Sequence, residues 1–162
     1  MTSNVAIIAG AGSGLSASLA RLLAKEGFRV VLAARNVEKL AALQAETGAQ
    51  AVATDVSDPA SVEHLFDVAD KVGPLSLVVF NASGRARGPI AELDPEAVRQ
   101  ALLVGAYGGF LVGRQAAPPA GGSRSGVDPL HRRDGQREGL RRLRRFCDAQ
   151  IRFARPGPVH GP

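Results

Sequence analysis

Several residue types that carry chemistry are scarce in this sequence. Its 162 residues include one cysteine, no tryptophan and one tyrosine, and no lysine follows Lys71. The single cysteine, Cys147, excludes an intramolecular disulfide and suits a reducing compartment. No apolar run approaches the roughly 20 residues that cross a bilayer. The N-terminal stretch MTSNVAIIAG lacks the basic flank and apolar core of a signal peptide. We therefore expect a soluble, cytoplasmic protein with no membrane partner.

Charge is distributed unevenly along the chain. Residues 1–117 contain ten Lys/Arg and eleven Asp/Glu, a net charge of −1. Residues 118–162 contain ten Arg and four acids, a net charge of +6. The composition therefore predicts one ordinary domain at 1–117 and a basic, poorly ordered tail rich in Gly, Pro and Arg at 118–162.

Apolar runs alternate with helical patterns through the first domain. The predicted strands are residues 4–10, 28–35, 49–56 and 75–83. The predicted helices are residues 14–27, 36–48, 58–73 and 94–117, the last of them weakened by Gly105, Gly108 and Gly109. Continuous apolar strands alternating with helices indicate a parallel sheet covered on both faces. The sequence thus predicts a doubly wound α/β fold.

The first strand-to-helix turn is rich in glycine. Its sequence, AGAGSGLSAS, contains Gly10, Gly12 and Gly14. Glycines there allow a sharp turn and the close approach of a pyrophosphate, while the following helix offers unpaired N–H groups. A tight turn alone would also explain them, but their place in a βαβ unit favours dinucleotide binding. Ser13 and Leu15 share this turn, and we include them among the candidate cofactor-binding residues.

Arg35 ends the second predicted strand. A carboxylate at this point would bind the 2′-hydroxyl of NAD, whereas an arginine can neutralise the 2′-phosphate of NADP. We therefore favour NADP, with NAD as the alternative. A solvated arginine at the start of a loop would leave the choice of cofactor open.

Several stretches in order resemble the short-chain dehydrogenase/reductase family. Gly10 and Gly14 match its pattern Gly-x-x-x-Gly-x-Gly, with Ser16 in place of the third glycine. The stretch TDVSD is similar to the segment after the family's third strand, which implies that Asp55 and Val56 lie against the adenine ring.

The stretch FNASG is similar to the family's Asn-Asn-Ala-Gly segment at the end of the fourth strand. Asn81 and Ala82 match it, and with Ser83 they complete the candidate cofactor-binding set. The alternative for Asn81 is a strand-end asparagine that satisfies neighbouring backbone groups. The resemblance covers residues 4–117. It implies a Rossmann-like fold, here truncated after about four strands, and NAD(P)-dependent hydride transfer on an unspecified small carbonyl or alcohol.

The resemblance also implies a catalytic set that this chain does not match. The family uses a tyrosine, a lysine four residues later that lowers the tyrosine's pKa, a serine and a helix asparagine. Tyr107 is instead followed at that spacing by Leu111, and Gly105 stands at the expected asparagine position. We therefore assign no catalytic residue and no metal ligand, and expect an inactive chain that retains cofactor binding. The resemblance implies that homo-oligomers of the family form through later helices, and this sequence does not support such an interface.

The basic tail has two interpretations. Reading its codons one nucleotide later from Asp128 allows a strand followed by a long amphipathic helix, although third bases are free. The fixed bases of Gln150 and Ile151 then specify lysine or arginine. We therefore interpret the tail as a frameshifted segment that starts near residues 117–118. The alternative is a nucleotide-binding module, not an enzyme, whose arginines contact nucleic acid or another polyanion; we favour solvated arginines over a nucleic-acid partner.

Overall fold

The computed structural model describes residues 4–117. This part of the chain corresponds to the first predicted domain. The predictions made for residues 118–162, namely the poor order, the shifted reading frame and the polyanion contact, lie outside the described residues.

Strands and helices alternate through the described residues. The strands are β1 (Val5–Ala9), β2 (Arg29–Ala34), β3 (Gln50–Ala53) and β4 (Leu75–Phe80). The α-helices are α1 (Leu15–Lys25), α2 (Ala41–Thr47), α3 (Pro59–Val72), α4 (Pro95–Leu102) and α5 (Gly108–Ala116). Short 3-10 turns at Glu38–Leu40 and Ile90–Glu92 precede α2 and α4. Every predicted strand and helix is therefore present in the predicted order.

The four strands form one parallel sheet in the order β3-β2-β1-β4. Strand β1 lies inside the sheet, where Ile7 pairs with Val31 of β2 and with Val78 of β4. All of its residues are buried, as expected for a strand covered on both faces. The predicted α/β fold is confirmed.

Alternate residues of β1 contribute to different sides of the core. Val5, Ile7 and Ala9 pack in one cluster with residues of α3 and α5, including Phe66 and Leu111. Because successive side chains of a strand point to opposite faces, the buried Ala6 and Ile8 face the other layer, where α1 contacts β1 and β2. Helices therefore cover both faces of the sheet.

The predicted fourth helix is not uniform. It consists of α4, a π-helical segment at Leu103–Tyr107 and α5. Gly105 lies inside the π segment, and Gly108 begins α5. A Cβ added to Gly108 would lie 3.0 Å from both Cγ2 and the carbonyl oxygen of Val56. The glycine thus lets this helix lie close to the segment that follows β3.

Candidate cofactor-binding site

A cavity of about 480 Å³ lies at the carboxyl ends of the strands. This is the edge of an open parallel sheet where α/β proteins bind ligands. The cavity is lined by Gly10, Ala11, Gly12, Ser13, Ala33, Ala34, Arg35, Asn36, Lys39, Leu40, Thr54, Asp55, Val56, Asn81, Ala82, Ser83 and Val104.

The turn after β1 is fixed by backbone hydrogen bonds and by one close contact. The N–H groups of Gly10 and Ala11 both donate to the carbonyl of Ala33, at 2.9 and 2.8 Å. Gly10 has a φ of +89°, and a Cβ added there would lie 2.3 Å from the backbone nitrogen of Ala82. Both the backbone conformation and the space therefore require glycine at position 10.

Gly12 and Gly14 differ from Gly10 because an added Cβ would meet no atom within 4 Å at either position. Their absent side chains leave space that is open in this structure. Gly14 is the N-cap of α1, and no side chain in the described part of the chain caps this helix. By contrast, Asp58 and Asp94 each accept two backbone N–H groups at the starts of α3 and α4, as their Asp-Pro sequences predict. The first N–H groups of α1 therefore remain for an anionic ligand.

Positive charge lies at the end of β2. Arg35 and Lys39 both line the cavity and are exposed. Neither side chain forms an ion pair or a hydrogen bond within residues 4–117. Asn36 stands between them, and its Oδ1 accepts the N–H of Glu38 at 3.0 Å. This part of the cavity therefore presents two cations that a phosphate group would neutralise.

The carboxylate of Asp55 lies in the segment that follows β3 and accepts two hydrogen bonds. Its Oδ1 accepts the hydroxyl of Ser57 at 2.6 Å and the backbone N–H of Ser57 at 2.9 Å. These two hydrogen bonds, and then the nearby charge of Arg35, lower the pKa of the Asp55 carboxyl below its ordinary value. Asp55 is therefore an ionised acceptor at neutral pH, beside the buried, apolar Val56.

Ser16 and Asn81 link the glycine turn to the end of β4. The Ser16 hydroxyl donates to the carbonyl of Gly10 at 3.0 Å. Asn81 Nδ2 donates to Ser16 Oγ at 2.8 Å, and the backbone N–H of Asn81 donates to Ala9 at 2.7 Å. Ser16 is only 2% exposed, so the hydroxymethyl group in place of the family's third glycine is accommodated in the core and hydrogen-bonded.

The structure brings most of the predicted site residues together. Nine of the eleven candidates line the cavity, and Gly14 and Leu15 do not. These two residues lie at the N-terminus of α1, and Leu15 is 43% exposed. Sequence reasoning did not identify Lys39 and Val104 as site residues. Lys39 could have been identified from the sequence, because it follows Arg35 by four residues. Val104 could not, because it reaches the cavity only through the packing of its helix.

Tyr107 is not among the residues that line the cavity. Its ring is stacked on that of Phe110 with the centroids 6.2 Å apart, and the side chain at its i+4 position, Leu111, is buried in the core. Within residues 4–117, no group of three His, Cys, Asp or Glu side chains is placed to hold a metal ion. No helix in this part of the chain is both long enough and apolar enough to span a membrane.

Comparison with known proteins matches this architecture. The family model described as short chain dehydrogenase matches residues 4–127. The cis-4-hydroxycyclohexanecarboxylate dehydrogenase of Sinomonas cyclohexanicum is 37% identical over 118 residues, which are 69% of this chain and 47% of that protein. An uncharacterised oxidoreductase of Staphylococcus aureus is 32% identical over 122 residues, 73% of this chain and 53% of that protein. The chain spans about half the length of these curated relatives.

Two solved structures share both fold and sequence with it. The actinorhodin polyketide ketoreductase F189W variant with NADPH has a TM-score of 0.66 and 33% identity, and the match covers 70% of this chain and 46% of that chain. The 3-ketoacyl-(acyl-carrier-protein) reductase of Brucella melitensis with NADH has a TM-score of 0.64 and 30% identity, over 69% and 48% of the two chains. The predicted resemblance is confirmed, and the chain belongs to the short-chain dehydrogenase family.

Proposed function

We propose that residues 4–117 form the cofactor-binding part of an NAD(P)-dependent oxidoreductase. Its reaction is hydride transfer between the nicotinamide and a small carbonyl or alcohol. The observation that carries this proposal is one cavity that has a helix N-terminus near one part and two cations at another, neither of them capped or paired by a side chain of residues 4–117. A dinucleotide has a pyrophosphate and an adenosine end that these features complement.

The glycine turn is the site proposed for the pyrophosphate. Gly12 leaves open space beside the backbone, and the N–H groups at the start of α1 have no side-chain cap. Negative charge is favourable at a helix N-terminus because the helix dipole is positive there. Gly14 and Leu15 would contribute backbone N–H groups rather than side chains, which is consistent with their place outside the cavity lining.

The adenosine end is proposed to lie at the ends of β2 and β3. Asp55 would accept a hydrogen bond from the adenine amino group, and Val56 offers an apolar surface. Arg35 and Lys39 favour NADP over NAD, because both are free to neutralise a 2′-phosphate. The relatives support a nicotinamide dinucleotide in general, since one neighbour holds NADPH and the other NADH.

Asn81, Ala82 and Ser83 are proposed to contact the cofactor on the β4 side of the cavity. We assign no catalytic residue within residues 4–117, because Tyr107 lies outside the cavity lining and has leucine at the position of the family's lysine.

A titration of the 162-residue chain with NADPH tests the proposal. Isothermal calorimetry should show saturable binding with one NADPH for each chain. A well-folded chain that binds neither NADPH nor NADH would contradict it.

We also propose that the basic tail is read in a shifted frame that starts near residues 117–118. The family match ends at residue 127 and does not include the basic segment that follows. The nucleotide sequence around codons 113–130 tests this proposal. One inserted or deleted base that restores a long open frame is the expected result, and an uninterrupted frame in independent reads would refute it.

A further inference from the structure

The hydrogen bonds of Ser16 have a direction that the geometry determines. A hydroxyl group carries one proton. The carbonyl of Gly10 can only accept, so the Ser16 proton points to it across 3.0 Å. Toward Asn81, 2.8 Å away, Ser16 Oγ can therefore only accept. The amide of Asn81 must then present Nδ2 to Ser16, which fixes the orientation of a group that could otherwise be flipped.

This orientation leaves Oδ1 of Asn81 as an acceptor for a ligand. Asn81 lines the cavity, and its Oδ1 accepts no hydrogen bond from any residue in the described part of the chain. With one N–H of Nδ2 directed to Ser16, the side chain has Oδ1 left as an acceptor, and Nδ2 keeps its second N–H. Ribose hydroxyls are donors of a dinucleotide that match this acceptor, and the adenine amino group, another donor, is already proposed for Asp55.

Ser16 also connects two segments that lie against each other at the cavity. Gly10 approaches the backbone of Ala82 so closely that a Cβ would overlap it. Ser16 bonds to Gly10 on one side of this contact and to Asn81 on the other. A buried hydroxyl that satisfies two polar groups is costly to remove, because both groups then lose their partner.

We propose that Ser16 is a positioning residue of the cofactor cleft: its hydroxyl orients the Asn81 amide so that Oδ1 accepts a hydrogen bond from a sugar hydroxyl of the bound dinucleotide. This inference rests on the proposed function for its ligand. The hydrogen bond between Ser16 and Asn81 exists in the free protein and can be tested without any ligand.

The first measurement is made on the free, full-length protein by NMR. The Nδ2 proton of Asn81 that is bonded to Ser16 should exchange more slowly than the side-chain amide protons of Asn36, which donate no hydrogen bond within the described residues. In Ser16→Ala this protection should disappear. Ser18→Ala is the matched control, because Ser18 lies on the exposed side of the same helix and its side chain forms no hydrogen bond within the described residues. An Asn81 amide that is unprotected in the wild type, or unchanged by Ser16→Ala, overturns the proposal.

The second measurement is NADPH affinity in a double-mutant cycle. Ser16→Ala and Asn81→Ala should each weaken binding by about tenfold, the equivalent of one hydrogen bond. Because Ser16 acts through Asn81, the double variant should bind no more weakly than the weaker single variant. A Ser16→Ala variant that binds like Ser18→Ala, or losses that multiply in the double variant, would show that Ser16 has only a structural role. If the wild type binds no NADPH, the proposed function fails, while the NMR result still decides whether the hydrogen bond between Ser16 and Asn81 exists.

Discussion

Arg35 and Asp55 line the same cavity, from the ends of neighbouring strands, without forming an ion pair. The hydrogen bonds from Ser57 are the main cause of the lowered pKa of Asp55, and the charge of Arg35 lowers it further. Within the described residues Arg35 has no ion-pair partner, while Asp55 is ionised and hydrogen-bonded to Ser57. This pair gives the proposed adenosine end of the cavity a separate cation and anion.

Replacement of Gly12 separates ligand binding from folding. A Cβ at position 12 would meet no protein atom, and Gly12 has no positive φ. Gly12→Ala should therefore leave the melting temperature nearly unchanged but weaken NADPH binding by about tenfold or more, since the methyl group enters the cavity. Gly10→Ala is the contrasting variant and should unfold at a clearly lower temperature. Calorimetry and thermal melts measure both, and an unchanged NADPH affinity in Gly12→Ala would remove this turn from the binding site.

A second glycine pair tests the packing of α4. A Cβ added to Gly84 would lie 2.5 Å from the Cα of Ala101, whereas one added to Gly113 in α5 would meet nothing. Gly84→Ala should destabilise the protein by about 1–3 kcal/mol through overpacking. Gly113→Ala should stabilise it by up to about 1 kcal/mol through helix propensity. Denaturant unfolding measures both changes, and a neutral Gly84→Ala would mean that α4 does not pack on this loop.

The preference for NADP should depend on pH. The second pKa of a phosphate monoester is about 6, so the 2′-phosphate loses negative charge as pH falls through that value. The pKa of Asp55 lies below its ordinary value of 3.8, so Asp55 stays charged over this range and does not contribute. The affinity ratio of NADPH to NADH should therefore decrease between about pH 7.5 and 5.5. A ratio that is constant across this range would argue against a charged contact to the 2′-phosphate.

Turnover by this chain should be absent. Hydride transfer to a carbonyl requires a positioned proton donor with a tuned pKa, and each of these contributes several orders of magnitude to the rate. Tyr107 has no lysine one helical turn away and lies outside the cavity lining. We expect no NADPH or NADH oxidation above background with aldehydes or ketones, and no reduction of NADP or NAD with alcohols. Oxidation proportional to protein concentration, and abolished by Gly14→Phe, would refute this expectation.

Much of the fold was predictable because its signals are local. Apolar runs, Asp-Pro caps and the glycine turn each depend on a few consecutive residues, and the sheet follows from their alternation. The caps at Asp58 and Asp94 are the clearest cases. The π-helical segment at Leu103–Tyr107 was not predicted. The sequence indicated only that glycines weaken this helix, because the π-helical geometry depends on how the helix packs and not on its own sequence.

The least predictable feature of the site was the bond between Ser16 and Asn81. These residues are 65 positions apart, and only the folded sheet brings the end of β4 to the first turn. From the sequence, Ser16 was simply a departure from a glycine pattern. The structure shows that its hydroxyl occupies the space with two hydrogen bonds, which no local pattern could indicate.

The role of Arg35 gives the most direct test that this chain binds NADP(H) at the cavity. The wild type, Arg35→Asp and Arg87→Asp should each be titrated with NADPH and with NADH by calorimetry. Arg87 is the matched control, because it is an exposed arginine outside the cavity lining and the charge change is the same. We predict that Arg35→Asp weakens NADPH binding by about tenfold to a hundredfold and spares NADH, the effect of one lost charged contact, whereas Arg87→Asp changes neither. Equal losses for both cofactors, no loss in Arg35→Asp, or the same loss in Arg87→Asp would contradict the assignment.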